Sequence, residues 1–153
     1  YNCFNNQIYS DEEKFNLIKD GNFVIISYRI LPSKESKDCL INKISYLEKN
    51  NIDFLVIGTK DFGFNINRPL KDKIYDFQAM PSKEILDFND FLKKNVPQEK
   101  FIDLLNLISK GGKVPLFTAD NKLMSIDRAH LTYFGARDVG KIIFSDIRLN
   151  DFR

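Results

Sequence analysis

Asp127 and His130 are the two residues of this sequence whose types and spacing best suit catalysis. His130 is the only histidine among the 153 residues, and an acid precedes it by three positions. A neutral imidazole can accept a proton from a weak nucleophile such as a serine hydroxyl. A carboxylate beside the ring fixes its tautomer and stabilises the imidazolium that forms. The pair therefore predicts two members of a Ser-His-Asp apparatus for acyl chemistry.

The residues around this pair predict how it is positioned. A tight turn would bring the carboxylate and the imidazole to the same edge of a sheet. Thr132 is suited to cap a helix that extends to about Ile147, and Gly135 would let that helix approach the loop or the sheet closely. The alternative reading is an ordinary surface histidine at a helix start, with Asp127 as a charge favourable to the helix dipole.

Composition limits the classes of protein. A chain of 153 residues with 43% hydrophobic content is expected to form one domain over residues 1–153 with a real core. The net charge is +2, from 23 basic and 21 acidic residues, and no long basic block occurs, so nucleic acid is not expected as a partner. No apolar run approaches the roughly 18 residues that span a bilayer, so no membrane span is expected within the chain.

The cysteines and the start of the chain support further expectations. Cys3 and Cys39 lack the spacing of a metal site, and a single histidine excludes a His-rich zinc site. We therefore expect no metal and no cofactor. A disulfide between the cysteines and two unconnected thiols both stay open. The chain begins with Tyr1 rather than Met, and we expect the fold to be incomplete at its N-terminus.

The first half of the chain predicts a strand–helix–strand unit. Phe23–Ile30 is a short apolar run of a buried strand. Ser36 or Asp38 is suited to cap a helix that ends at about Asn50. Phe54–Gly58 forms a second buried strand. Because parallel neighbours need a crossover helix, this order predicts a parallel sheet. The residues predicted to form the buried face of the helix are Leu40, Ile41, Ile44 and Leu47.

The second half continues this alternation. Residues 59–80 form a long connection after the carboxyl end of a strand, the edge where open α/β sheets bind ligands. Pro81 and Ser82 open another helix, which extends to about Asn95. Lys100–Leu105 is predicted as a third strand and Val114–Thr118 as a β-like segment. The whole pattern predicts an α/β fold with a mostly parallel sheet.

The residues around the pair carry a resemblance to a known family. They resemble the last conserved block of the SGNH (GDSL-like) hydrolase superfamily, which reads Asp-x-x-His, commonly followed by Leu-Thr or Leu-Ser, two further residues and Gly. More narrowly, residues 20–147 look like the later part of the SGNH domain fused behind the membrane acyltransferase-3 domain in bacterial glycan O-acetyltransferases. The specific part is the Asp-His block. The matching residues are Asp127, His130, Leu131, Thr132, Gly135 and Ala136.

This resemblance implies a fold and a function. The fold would be a three-layer α/β/α sandwich of the flavodoxin-like SGNH type. The activity would be ester hydrolysis or acyl transfer, most typically of acetyl groups, on a cell-surface polysaccharide, with Asp127 and His130 as catalytic residues. Fusion to a membrane acyltransferase domain and an extracytoplasmic location would follow. Arg29, at the end of the first strand, could bind an acyl oxygen or a sugar hydroxyl, and its alternative role is a salt bridge.

The sequence also departs from the family pattern. No Gly-Asp-Ser occurs, and the oxyanion-hole Gly and Asn blocks are not recognisable. Ser27 and Ser125 are interpreted as structural, so no nucleophile is nominated within the chain. Phe62–Phe64 and Tyr75 could stack on a sugar or form a hydrophobic cluster under the loop. The function is thus the catalytic-base half of an esterase or O-acetyltransferase with its serine outside this chain, or alternatively a non-catalytic glycan-binding or accessory pseudo-enzyme domain. A third possibility is an ordinary α/β domain with an accidental match.

Overall fold

A computed structural model describes residues 23–27, 33–63 and 67–152 of the chain. Five strands are described: β1 (Phe23–Ser27), β2 (Asp53–Ile57), β3 (Gln78–Ala79), β4 (Phe101–Ile102) and β5 (Val114–Pro115). Three of them form a parallel sheet in the order β1-β2-β4, and the other two pair antiparallel as β3-β5. Helices alternate with the strands of the parallel sheet, so the predicted mixed α/β class with a parallel sheet is confirmed.

The described residues form five α-helices and two 3-10 helices. The α-helices are α1 (Lys34–Lys49), α2 (Asn67–Lys71), α3 (Lys83–Asn95), α4 (Leu104–Ile108) and α5 (Tyr133–Phe144), and the 3-10 helices are Gln98–Lys100 and Ile147–Phe152. None of these helices has the length and apolar character required to cross a membrane.

The start of α1 differs from the prediction. Its N-cap is Ser33, whose side chain accepts a hydrogen bond from the backbone N–H of Ser36 at 3.2 Å. Ser36 and Asp38 lie inside the helix, so both predicted caps are wrong. Three serine or aspartate residues within six positions offer competing caps, and Ser33 has the extended backbone that a cap requires. The predicted end at Asn50 is confirmed.

The third strand of the parallel sheet is shorter than predicted. Lys100–Leu105 was expected to be extended, but β4 contains only Phe101 and Ile102. The side chain of Asp103 accepts a hydrogen bond from the backbone N–H of Asn106 at 3.1 Å and thereby begins α4. An aspartate cap directly after two apolar residues therefore converts the predicted strand end into a helix start.

Alternating residues of β2 face the two sides of the sheet. Phe54 and Val56 pack against α1 and α3, whereas Leu55 and Ile57 pack with Ile143 of α5 and with Leu149. Both sides of the sheet are thus covered by helical segments. The buried residues on the side of α1 and α3 are Leu40, Ile44, Leu47, Ile52, Phe54, Val56, Phe88, Leu92, Val96 and Phe101.

Candidate active site

The side chains of Asp127 and His130 are in direct contact. His130 Nδ1 lies 2.5 Å from Asp127 Oδ2, with the carboxylate three residues before the ring in the connection of residues 116–132 between β5 and α5. The ionised carboxylate can only accept, so Nδ1 carries the proton of the neutral ring and Nε2 is left as the basic nitrogen. The predicted contact between the acid and the imidazole is therefore present in the geometry required of a catalytic couple.

The loop itself stabilises the charged form of Asp127. Oδ1 of this residue accepts hydrogen bonds from the backbone N–H groups of Ala129 and His130, both at 2.7 Å. These two bonds, followed by the bond from the imidazole, hold the pKa of Asp127 well below its usual range. The carboxylate is thus fixed, and its ionised form stabilised, by its own turn.

The couple lies at the surface. The side chains of His130 and Asp127 are 46% and 48% exposed, so a substrate can approach the imidazole without a large rearrangement. A ring buried in the interior would have contradicted the catalytic interpretation. The exposure is consistent with catalysis and with an ordinary surface histidine, so the catalytic role stays a prediction.

Ser125 holds the two ends of the loop together. Its hydroxyl is fully buried and bonds to the backbone carbonyls of Asp127 and His130, the latter at 2.7 Å. The backbone N–H of Ile126 also donates to the carbonyl of His130 at 3.1 Å. A hydroxyl that is buried and directed at the backbone is not presented to a substrate. The structure thus agrees with the structural interpretation of Ser125.

The loop is joined to α5 as the sequence predicted. Thr132 caps this helix, and its Oγ1 accepts from the backbone N–H of Gly135 at 3.1 Å. A Cβ added at Gly135 would lie 1.9 Å from the carbonyl oxygen of Met124, so only glycine permits this approach. Both expectations are confirmed. The predicted end at Ile147 is wrong, because α5 stops at Phe144 with Ser145 as its C-cap.

Sequence reasoning missed the contact that attaches the loop to the sheet. Arg128, between the two members of the couple, donates from Nε and Nη2 to the carboxylate of Asp61 at 3.1 and 2.7 Å. Its backbone carbonyl accepts from the N–H of Phe62 at 3.0 Å. Because Asp61 follows β2 by four residues, these bonds fix the loop near the carboxyl end of that strand. The only sequence signal was the position of Asp61 in the connection after a buried strand.

The structure describes only some of the other predicted site residues. Arg29 lies outside the described residues, so its substrate-binding role stays a prediction. Phe62 is fully buried in the core, and stacking of this ring on a sugar is therefore wrong. Tyr75 is 42% exposed and meets the ring of Phe117 edge-on at 5.3 Å between centroids. Phe64 also lies outside the described residues.

A metal site requires several ligating side chains that lie close together. Among residues 23–27, 33–63 and 67–152, no group of three or more His, Cys, Asp or Glu side chains is arranged to hold a metal ion. Cys3 lies outside the described residues, so its pairing with Cys39 stays untested.

Acidification is expected to destabilise the protein partly through Asp127. Because its pKa is lower in the folded state than the usual value of about 3.9, its stabilising contribution is complete above that value and is lost as the pH falls towards the folded pKa. Between about pH 5 and about pH 2, the free energy of unfolding in urea should therefore fall less steeply for Asp127→Asn than for the wild type.

The acid response of the variant should be reduced rather than abolished. The pKa values of Asp61 and Asp146 are also lowered in the folded protein, and both carboxylates remain in Asp127→Asn. Parallel unfolding free energies for the wild type and the variant across this pH range would show that the loop does not stabilise the charged form of Asp127.

Comparison of the chain with protein-family models, with curated proteins and with solved structures finds no match.

Proposed function

We propose that Asp127 and His130 are the acid and base of an SGNH-type esterase or O-acetyltransferase whose serine is supplied from outside this chain. The observation that carries the proposal is the 2.5 Å contact between His130 Nδ1 and Asp127 Oδ2 at an exposed loop. In this mechanism Nε2 of His130 takes the proton of the serine as the hydroxyl attacks an ester carbonyl. An acyl-enzyme forms, and water or a sugar hydroxyl then receives the acyl group.

The chain's own residues support both halves of this proton transfer. Asp127, held ionised by two backbone N–H groups, stabilises the imidazolium as it forms. The turn that holds the carboxylate also fixes the backbone of His130, whose N–H and carbonyl are both hydrogen-bonded, and the bond to Asp127 orients the ring. Preorganisation of this kind favours proton transfer, because the acid and the base are already held in the geometry that the reaction needs.

The sheet is compatible with the finer fold that the resemblance implies. We propose a three-layer, flavodoxin-like SGNH domain in which the strand that leads to the serine lies beside β1. Among the described residues, β1 pairs with β2 alone. A strand next to β1 would lie about 10 Å from β2, whose following loop holds Arg128 and so the catalytic couple. A side chain at its end would be near His130.

The proposed substrate is an acyl ester of a cell-surface polysaccharide, and the proposed location is extracytoplasmic. Both come from the resemblance of residues Asp127–Ala136 to the glycan O-acetyltransferases. An exposed couple suits a polymer, because a bulky glycan can reach an imidazole at the surface but not one at the bottom of a narrow cavity.

A non-catalytic glycan-binding role is the second candidate. The observation that favours it is that neither Ser125 nor Ser27 is suited to act as a nucleophile, because Ser125 is buried and Ser27 has no neighbouring glycine in the sequence. In that case the loop would contact sugar hydroxyls without taking a proton.

Labelling with a fluorophosphonate probe of serine hydrolases distinguishes the two functions. The full-length gene product is expected to react covalently with the probe, and His130→Ala is expected to abolish the reaction, because the serine is unreactive without its base. Asp138→Asn, on α5, is the matched control and should be labelled like the wild type. Absence of labelling in the wild type would contradict the enzymatic proposal and favour the binding role. Equal labelling of His130→Ala would contradict the role of His130 as the base.

A further inference from the structure

We infer that Asp61 is a positioning residue, which holds the loop of Asp127 and His130 in its working geometry through Arg128. The role of this loop in catalysis rests on the function proposed above. The geometric part, control of the imidazole by a carboxylate 69 positions earlier in the chain, can be tested without any activity.

The carboxylate of Asp61 is buried. The hydrogen bonds that it accepts come either from the loop of Asp127 and His130 or from the backbone that supports Asp61 itself. It is 2% exposed. Oδ1 accepts from the backbone N–H of Gly63 at 2.9 Å and from Arg128 Nε, and Oδ2 accepts from the backbone N–H of Ser82 at 2.8 Å and from Arg128 Nη2. Burial alone raises the pKa of Asp61, but the bonds from Arg128, Ser82 and Gly63 outweigh it and lower the pKa overall.

The supports of Asp61 belong to two separate segments that are themselves fixed. Gly63 has a left-handed backbone with φ of 69°, and a Cβ there would lie 2.5 Å from Cβ of Ala79. Ser82 caps α3. The carboxylate is therefore an anchor built into the connection between β2 and α3, and Arg128 is held against it by a fork-shaped pair of bonds rather than by a flexible single contact.

The position of Arg128 gives the anchor its effect on the couple. Arg128 directly follows Asp127 and precedes His130 by two residues, and both its side chain and its carbonyl bond to the 61–62 segment. The turn that brings the Asp127 carboxylate to the His130 ring therefore contains a residue, Arg128, that is bonded to a distant segment of the chain. Loss of the anchor would let this turn shift, and a displacement of about 1 Å can lower the rate about 10²-fold.

Asp61→Asn tests the inference because it keeps the size of the side chain and removes its charge. The side-chain NH₂ group of asparagine would place a donor opposite the donors of Ser82, Gly63 or Arg128, where the carboxylate now provides an acceptor. Arg128→Lys is the second variant, which keeps the charge, removes the fork and replaces a side chain that is 25% exposed. It therefore serves if Asp61→Asn fails to fold.

The lone histidine makes the readout unambiguous. All imidazole resonances in a ¹H–¹⁵N spectrum of the chain come from His130, unless an affinity tag adds others. The wild type should show the Nδ1–H proton, protected from exchange by its bond to Asp127. In both variants we expect this signal to broaden or disappear while the backbone amide spectrum stays dispersed. In the full-length gene product, kcat for p-nitrophenyl acetate should fall about 10²-fold with little change in KM.

A second aspartate–arginine pair provides the matched control. Asp146 accepts from Arg148 Nε at 2.6 Å and from Nη2, and Arg148 reaches the backbone carbonyls of Gln98 and Phe101 rather than the loop. Asp146→Asn should therefore lower stability without changing the His130 signal. An unchanged Nδ1–H signal in folded Asp61→Asn and Arg128→Lys would overturn the inference. Failure of the proposed function would appear separately, as His130→Ala that keeps wild-type turnover.

Discussion

Turnover of p-nitrophenyl acetate by the full-length gene product is expected to fall roughly 10⁴- to 10⁶-fold in His130→Ala and about 10⁴-fold in Asp127→Asn. The first variant removes the base, so the serine hydroxyl keeps its proton. The second keeps the shape of the side chain but removes the charge that selects the Nδ1–H tautomer and stabilises the imidazolium. Both residues lie at the surface, so the fold should survive, which circular dichroism checks. The loss of activity is measured as kcat/KM.

The two variants should also be non-additive. When two residues act as one unit, replacing either one costs the enzyme nearly as much activity as replacing both. The double variant should therefore resemble His130→Ala. Asp138→Asn removes a nearby carboxylate that pairs with Arg137 rather than with His130, and it should retain wild-type turnover. Wild-type rates in either His130→Ala or Asp127→Asn would remove the enzymatic proposal.

The part of the site that could be predicted is the part built from neighbours in the sequence. Asp127 and His130 are three residues apart, and the turn that joins them is closed by backbone groups of the same segment. Thr132 and Gly135 belong to the adjoining helix start, where capping rules are local. Short-range stereochemistry therefore sufficed to place this contact, this cap and this close approach.

The anchor of the loop could not be predicted for the opposite reason. Asp61 and Arg128 are separated by 67 positions, and nothing in either local sequence indicates the other. Asp61 is a charged residue of a loop, a kind of residue that is usually exposed. It is nevertheless buried, because four hydrogen-bond donors converge on its carboxylate. Such an ion pair exists only after the sheet has brought two distant loops to the same edge.

The errors in element boundaries have a related cause. Ser33, Ser36 and Asp38 are all competent caps, and the choice of Ser33 depends on where the chain leaves the preceding segment. Asp103 terminates β4 because it accepts from the backbone N–H of Asn106, a contact that competes with extension of an apolar run. Periodicity identified most of the buried face of α1, because burial repeats over several turns and does not depend on one end. Leu40, Ile44 and Leu47 are buried as predicted, whereas Ile41 is only half-buried.

Gly135→Ala is expected to destabilise the protein by about 3 kcal/mol or more, at the upper end for overpacking. The added Cβ would lie 1.9 Å from the carbonyl oxygen of Met124, a backbone atom. Met124 cannot easily recede, because its carbonyl accepts from the N–H of Thr132 at 3.0 Å and its own N–H donates to Leu116 at 2.8 Å. Relief of the clash must therefore move the start of α5 and the loop before it. Urea unfolding of the two proteins measures the loss.

Gly140→Ala separates this clash from the general effect of a helical glycine. Gly140 lies in the same helix, and a Cβ there meets no atom within 4 Å. Alanine loses less backbone entropy than glycine on folding, so this variant should be stabilised by up to about 1 kcal/mol. The two substitutions thus have the same chemistry and opposite expected signs. If Gly135→Ala were as stable as Gly140→Ala, α5 would not approach Met124 this closely. The contact between α5 and Met124 would then not support the loop of Asp127 and His130.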